Sequence, residues 1–301
     1  MRIFFPIVVL LAQVFNLNAQ TVIPVPSAGK IVHYDNFSSK FIKSRPLDVW
    51  LPEGYDAKQK YAVLYMYDGQ NLFDSTGTWD HSEWGVDENL TTLFKNPSIK
   101  KCIVVGVQNI PDIRWFEYYP EKPYEALPLP MKTGMSSYAK MDKPQSDEYL
   151  KYIVQEVKPF VDSVFSTKKD LANTLIAGSS MGGLMSLYAI CEYPDVFGSA
   201  ACFSSHWIGT DPKNQFKQIP NAFVNYADTH LPDPKTHKIY FDYGSVGLDS
   251  TYEPTQKRID AVMQKHNYDK SNWITLNFPG DGHKNEAWRR RFNTPMEFLL
   301  K

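Results

Sequence analysis

The sequence predicts an α/β protein with a mostly parallel central sheet, helices on both faces of that sheet and an antiparallel start. Two observations predict this class. Short apolar runs that fit buried strands alternate along most of the chain with longer stretches of helical periodicity. The first part of the chain instead carries two strand-like runs with polar turns between them. With 301 residues, of which 43% are hydrophobic, the chain can bury one large core.

Apolar runs predict the strands of the sheet. They are Ile31–Tyr34, Leu47–Leu51, Tyr61–Tyr67, Ile103–Val107, Asn173–Ala177, Ser199–Ser204, Ile239–Gly244 and Trp273–Phe278. Polar turns bracket the first two runs, which indicates an antiparallel pair. The later runs are nearly continuous in apolar residues, as expected for parallel strands that are buried on both faces.

Helical patterns lie between these strands. Residues 84–94 and 255–266 are predicted helices, and another is expected over 184–190, stopping at Pro194. From Ser146 onward apolar side chains recur every fourth residue on one face, as in an amphipathic helix. These side chains are Tyr149, Ile153, Val157 and Val161.

Residues 109–145 follow neither pattern. Prolines are scattered through this segment, with tyrosines and methionines between them, so we predict a long irregular loop. A loop of this length inside a compact domain is usually functional. The segment is therefore expected to be an insertion over the site, and an ordinary surface loop is the alternative.

The N-terminal residues have the composition of a secretory signal peptide. Arg2 precedes an apolar stretch over residues 3–12, and a polar run follows it and ends near Ala19, where cleavage is expected. The apolar stretch is short for a membrane span, although a short membrane anchor is the alternative. We therefore expect residues 1–19 to be removed and residues 20–301 to form one secreted or periplasmic domain.

Charge and cysteine content narrow the function classes. The formal net charge of −1 gives no electrostatic reason to expect nucleic acid or an anionic membrane surface as a partner. A small or neutral substrate is the better expectation. The three cysteines, Cys102, Cys191 and Cys202, show no C-x-x-C spacing, so we interpret them as core thiols rather than disulfides or zinc ligands.

The pattern Gly178-x-Ser180-x-Gly182 lies between a predicted strand and a predicted helix. This is the context of a nucleophile elbow, a turn so tight that side chains beside the serine would clash. The serine is expected at the carboxyl edge of the sheet, with its Oγ at a helix N-terminus. A pattern this short also occurs by chance, so its interpretation depends on partners elsewhere in the chain.

A serine hydroxyl needs a histidine to take its proton and a carboxylate to orient that histidine. The chain order in this fold class is serine, acid, histidine. Of the seven histidines, His283 directly follows the last predicted strand and is the candidate base, whereas His206 precedes the acid candidates. Asp249 and Glu253 both follow the strand that ends at Gly244. Asp249 is preferred, and Glu253 remains the alternative acid.

The oxyanion of acyl transfer needs two backbone N–H donors. One is expected from Met181, directly after the serine, and the other from Gln70, where Gly69 permits a close backbone approach. No lysine follows the glycines of the elbow, which excludes a P-loop, and neither H-E-x-x-H nor an EF-hand pattern occurs. No metal or cofactor is expected.

Blocks along most of the mature chain resemble one esterase family. They are 45–55, which ends Leu-Pro-Glu-Gly-Tyr, 66–73, 106–120 with Arg114 and Glu117-Tyr118, the elbow through Gly198, and 282–289. The family includes enterochelin esterases, feruloyl and acetylxylan esterases of carbohydrate esterase family 1, S-formylglutathione hydrolase and the mycolyltransferases.

The resemblance implies an α/β-hydrolase fold and a hydrolase of carboxylic esters, with Ser180, Asp249 and His283 as the triad. One position departs from the family, which often has histidine where Tyr67 stands. That difference affects the mouth of the oxyanion loop and no catalytic residue. Four tryptophans are candidates either for the pocket lining or for packing, namely Trp79, Trp84, Trp207 and Trp288.

Together these inferences predict an exported serine esterase that acts through an acyl-enzyme. The expected substrates are carbohydrates that carry feruloyl or acetyl groups, or siderophore esters. The signal peptide and the aromatic loops favour the carbohydrate esters. Two alternatives stay open. One is an acyltransferase that uses the same triad, and the other is an esterase-like domain that binds glycans without turnover.

Overall fold

The computed structural model describes residues 23–76, 78, 80–213 and 216–301, so the predicted signal peptide lies outside the described residues. One sheet of eight strands organises this part of the chain. The strands are β1 (Lys30–Phe37), β2 (Arg45–Leu51), β3 (Ala62–Tyr67), β4 (Cys102–Val107), β5 (Thr174–Ser179), β6 (Ser199–Phe203), β7 (Lys238–Gly244) and β8 (Trp273–Phe278). Each corresponds to one of the predicted apolar runs.

The strand order is β1-β2-β4-β3-β5-β6-β7-β8. Strands β3 to β8 are parallel, whereas β1 is antiparallel to β2 and β2 is antiparallel to β4. The predicted fold class, with its antiparallel start, is therefore confirmed. Parallel neighbours need a crossover between them, and helices supply those crossovers on both faces.

Helices occupy the segments between the strands. They are α1 (Val86–Leu93), α2 (Pro111–Glu117), α3 (Glu121–Glu125), α4 (Leu129–Ala139), α5 (Ser146–Lys151), α6 (Lys158–Val164), α7 (Met181–Glu192), α8 (Gln218–His230), α9 (Glu253–Lys265), α10 (Asn285–Arg291) and α11 (Asn293–Leu299). A π-helical segment, Tyr152–Val157, joins α5 to α6. The four predicted apolar side chains of this stretch are all buried. Helices α8, α10 and α11 have no counterpart among the predicted elements.

The prediction of an irregular loop over residues 109–145 was wrong, because this segment contains α2, α3 and α4. Prolines occupy the first turns of α2 and α4, where the missing N–H would have no intrahelical acceptor in any case. Scattered prolines thus begin helices here rather than prevent them. The segment is anchored by Arg45 of β2, which forms a fully buried 2.6 Å ion pair with Glu117 of α2.

The core has two layers, one on each face of the sheet. Alternate side chains of β3 show the division, because Val63 packs in the layer that includes α7 and Leu64 in the layer that includes α1 and α11. Both side chains are fully buried, which stabilises the fold by about 1.5–3 kcal/mol for each. The three cysteines are free and buried, as predicted.

The parallel strands direct their carboxyl ends to one edge of the sheet. Loops that leave β3, β5, β6, β7 and β8 therefore meet there, as in other open α/β sheets where ligands bind beyond the strand ends. Within the described ranges, no helix combines the length and apolarity needed to cross a bilayer.

Candidate active site

Ser180 stands between β5 and α7 in a strained backbone conformation, with φ 58° and ψ −120°. Its N–H donates to the carbonyl of Phe203 at 3.0 Å, which ties the turn to the neighbouring strand. A Cβ on Gly178 would lie 2.8 Å from the Tyr67 ring and 2.9 Å from the carbonyl carbon of Gly182. The turn therefore has no space for a side chain there, as the elbow prediction requires.

His283 and Asp249 meet in the structure. Nδ1 of His283 lies 2.6 Å from Oδ1 of Asp249, whose side chain is fully buried. Because a carboxylate only accepts, Nδ1 is the donor, and Nε2 of a neutral His283 is left as an acceptor. Burial raises the pKa of Asp249, but the His283 contact and donors from Ser204 and Gly244 outweigh it, so the pKa is lowered and the carboxylate is ionised.

A cavity of about 560 Å³ brings three of the sequence-predicted site residues together. Ser180, His283 and Gln70 all line it. Trp84 and Trp288 also line it, with ring centroids 5.4 Å apart. The cavity therefore joins a serine hydroxyl, an imidazole and an aromatic wall at the carboxyl edge of the sheet.

The other two tryptophan candidates differ from these. Trp207 is buried away from this cavity, where its indole N–H donates to Gln256 at 2.9 Å and its ring packs near Phe223. It is a packing residue. Trp79 lies outside the described residues.

Glu253, the alternative acid, lies at the start of α9 and forms a 2.8 Å ion pair with Lys257 one turn later. Both side chains are more than half exposed, so the pair is solvated. None of the described residues form a group of three or more His, Cys, Asp or Glu side chains that could hold a metal ion.

The two predicted oxyanion donors lie at helix starts. Met181 is the first residue of α7, where backbone amides have no intrahelical acceptor. Gln70 lies in a short 3₁₀ helix, Gly69–Asn71, directly after β3. A Cβ on Gly69 would lie 2.6 Å from the backbone of Gly106 in β4, so glycine is required for this close approach.

An ion pair that the sequence did not predict holds the loop of Gln70. Asp68 has a left-handed backbone with φ 59°, and its carboxylate accepts from Nε and Nη2 of Arg114, each at 2.6 Å. Asn109 donates its side-chain amide to Asp68 at 2.6 Å and its backbone N–H to the side chain of Gln70 at 3.1 Å. The loop is thus fixed to the start of α2.

A second cavity, of about 780 Å³, lies beside the first. Its lining is mostly apolar and aromatic, with Trp115, Met131, Met135, Tyr138, Phe216 and Ile219 among its residues. Helix α2 contributes to both cavities, because Arg114 lines the first and Trp115 the second. Size and lining are typical of a small-molecule site.

His206 lines the second cavity, and its backbone N–H donates to the carbonyl of Ser180 at 3.1 Å. Burial lowers the pKa of His206 to about 4, so the ring is neutral near pH 7. Its Nε2 faces the carbonyl of Thr210 at 3.1 Å and must be the donor, while Nδ1 accepts from the hydroxyl of Tyr252 at 2.8 Å. Both ring nitrogens are occupied, so His206 has no free nitrogen to act as a base.

The mostly parallel sheet, the strained serine turn and the histidine–carboxylate pair at the strand ends define an α/β-hydrolase. The chain belongs to the esterase family whose model, described as "Putative esterase", matches residues 38–299. It is a carboxylic ester hydrolase of the serine type.

Solved structures share the fold. A ferulic acid esterase is 18% identical with a TM-score of 0.64, and the match covers 90% of this chain and 98% of that one. A mutant feruloyl esterase module from Clostridium thermocellum, complexed with sinapinate, is 20% identical with a TM-score of 0.61, covering 92% and 90%. The enterobactin esterase from Shigella flexneri is 16% identical with a TM-score of 0.61, covering 92% and 59%.

Curated relatives are distant in sequence. An uncharacterised protein of Bacillus subtilis, YbbA, is 24% identical over 207 residues, which is 67% of this chain and 68% of the relative. Endo-1,4-beta-xylanase Y of Acetivibrio thermocellus is 25% identical over 278 residues, or 86% of this chain. The match spans only 22% of that xylanase.

Proposed function

We propose that this protein is an exported esterase in which Ser180, His283 and Asp249 form a catalytic triad. The observation that carries the proposal is the 2.6 Å contact between His283 and Asp249 beside a cavity that Ser180 also lines. This contact fixes the tautomer that leaves Nε2 of His283 able to accept a proton. Glu253, paired with Lys257 on an exposed helix face, is the weaker candidate acid.

The proposed reaction proceeds through an acyl-enzyme. Ser180 Oγ attacks the ester carbonyl while its proton passes to Nε2 of His283, and the backbone amides of Met181 and Gln70 stabilise the oxyanion. His283 then returns the proton to the leaving alcohol. A water molecule, activated by the same imidazole, attacks the acyl-enzyme and releases the acid.

For the substrate we propose an ester with an aromatic part, on a carbohydrate or a siderophore. Relatives named as feruloyl esterases and an enterobactin esterase support this class. So does the cavity lined by Trp115 and Tyr138 beside the serine turn, because aromatic rings pack well against such walls. Export is proposed from the N-terminal sequence, with residues 1–19 as signal peptide.

The decisive experiment combines turnover with covalent labelling of the protein without residues 1–19. We expect hydrolysis of p-nitrophenyl acetate and loss of that activity when one fluorophosphonate per chain is bound. Peptide mass spectrometry should locate the adduct on Ser180. Labelling at another residue, or full activity after labelling of Ser180, would remove the proposed mechanism.

The second cavity gives a separate prediction about the substrate. Gly134 lines it from α4, and a Cβ there would meet no atom within 4 Å. Gly134→Trp is therefore expected to fill the cavity without disturbing the helix. We expect kcat/KM for methyl ferulate to fall about tenfold or more, since a pocket of altered volume discriminates on this scale. Activity on p-nitrophenyl acetate should stay within about twofold of that of the wild type.

The matched control is Gly134→Ala, which keeps the cavity open and should leave kcat/KM for both esters unchanged. If Gly134→Trp hydrolyses methyl ferulate as well as the wild type does, the second cavity does not bind the aromatic part. If it loses both activities equally, the substitution has disturbed the catalytic machinery instead.

A further inference from the structure

The hydroxyl of Ser204, the residue directly after β6, has three polar neighbours. Its Oγ lies 2.6 Å from Oδ2 of Asp249, 3.0 Å from Nε1 of Trp288 and 2.7 Å from Nη2 of Arg291. The indole and guanidinium nitrogens can only donate. Both therefore use the lone pairs of Oγ, and the one hydroxyl proton is left for Asp249. Ser204 is therefore the donor and Asp249 the acceptor in this hydrogen bond.

The backbone at Ser204 is strained, with φ 42°, a value that non-glycine residues seldom adopt. Its N–H donates to Asp242 of β7, at 2.9 Å to the backbone carbonyl and 3.1 Å to Oδ1. Such a conformation persists only where the surroundings over-determine it. Here both the backbone and the side chain of the residue are held in place, and the side chain is fully buried.

The carboxylate of Asp249 uses both of its oxygens. Oδ1 meets His283, while Oδ2 accepts from Ser204 and from the backbone N–H of Gly244 at 2.7 Å. Partners on both oxygens fix the plane of the group as well as its position. The orientation of Oδ1 toward His283 therefore depends on the hydrogen bonds that Oδ2 accepts.

Arg291 places a buried positive charge next to these carboxylates. Its guanidinium is 1% exposed and lies 3.3 Å from Asp242, 3.8 Å from Asp249 and 3.9 Å from Asp281. Burial raises the pKa of Asp242 to about 6, although the positive charge of Arg291 acts to lower that pKa. Arg291 and Trp288 lie one turn apart on α10, so a single helix face supplies both donors to Ser204.

We propose that Ser204 is a positioning residue for ester hydrolysis: held by the N–H groups of Trp288 and Arg291, it donates to Oδ2 of Asp249 and orients that carboxylate toward His283. The inference rests on the proposed triad, because Ser204 acts only through Asp249. It adds to the triad a support from the residue after β6 and from α10, in which the Ser204 side chain is fully buried.

The test compares Ser204→Ala with Ser205→Ala. Ser205 is the adjacent residue, is equally buried, and has a hydroxyl without a hydrogen-bond partner among the described residues. For Ser204→Ala we expect kcat on p-nitrophenyl acetate to fall about 10- to 100-fold, the scale of a hydrogen bond to a charged group, with KM little changed. Ser205→Ala should keep kcat within about twofold of the wild-type value.

A double-mutant cycle separates positioning from general damage. When Asp249 is already asparagine, adding Ser204→Ala should change kcat less than threefold, because the group through which Ser204 acts is gone. An undiminished effect of Ser204→Ala in that background, or equal kcat for the Ser204 and Ser205 variants, would overturn the inference. If Asp249→Asn by itself leaves kcat unchanged, the triad assignment fails first, so the two failures are distinguishable.

Discussion

Ser180→Ala is expected to lower kcat for p-nitrophenyl acetate by about 10⁴- to 10⁶-fold, because removal of the proposed nucleophile abolishes the acyl-enzyme route. The residual rate would come from binding and from the oxyanion amides alone. Steady-state hydrolysis with wild-type and variant protein, purified in parallel, measures the effect. The fluorophosphonate adduct should disappear in the same variant.

The matched control for this variant is Ser186→Ala on α7, the helix that follows Ser180. Ser186 is buried and donates to the carbonyl of Gly182 at 2.8 Å, so it tests the loss of a hydroxyl from α7 that lines no catalytic cavity. Its kcat should remain within about twofold of the wild-type value. Retention of more than about 1% of the wild-type kcat by Ser180→Ala would contradict the nucleophile assignment.

Asp249→Asn is expected to lower kcat by about 10⁴-fold while the cavity keeps its shape. An amide at this position no longer requires Nδ1 of His283 to carry the proton, and it cannot stabilise the imidazolium that forms during attack. Hydrolysis of p-nitrophenyl acetate near pH 7 measures the loss. The thermal midpoint should be recorded in parallel, because Asp249 also holds Ser204 and Gly244.

Glu253→Gln is the companion variant, because Glu253 was the other candidate acid. Its ion pair with Lys257 is solvent-exposed, and exposed pairs contribute little. We expect kcat within about twofold of the wild-type value. A large loss for Glu253→Gln with little change for Asp249→Asn would reverse the assignment of the acid.

Most of the fold could be predicted from the sequence, because buried parallel strands consist of nearly continuous apolar residues. The segment from residue 109 to 145 could not, since its prolines were interpreted as helix breakers. Pro111 and Pro130 instead stand in the first turns of helices, where proline is favoured. Position within a helix, rather than the number of prolines, decides their effect.

Some residues of the candidate site could likewise be predicted from the sequence, and others could not. The places of Ser180 and His283 beyond the strand ends could be predicted, because each follows a predicted strand within a recognisable pattern of residues. Spacing could not separate Asp249 from Glu253, since both lie in one polar run after β7. The contact between Ser204 and Arg291 could not be predicted from the sequence. A serine at a strand end and one arginine of three in a row are ordinary features until the fold brings β6 and α10 together.

Backbone strain at this edge of the sheet has a consequence for engineering. Asp68, Ser180 and Ser204 all have positive φ values, and each such conformation costs about 1–3 kcal/mol in residues other than glycine. The free energy of unfolding is therefore lowered by the same turns that present the reactive groups. At Ser180, whose side chain makes no cap hydrogen bond, a variant library selected for heat resistance alone would favour glycine and would lose turnover as it gained stability.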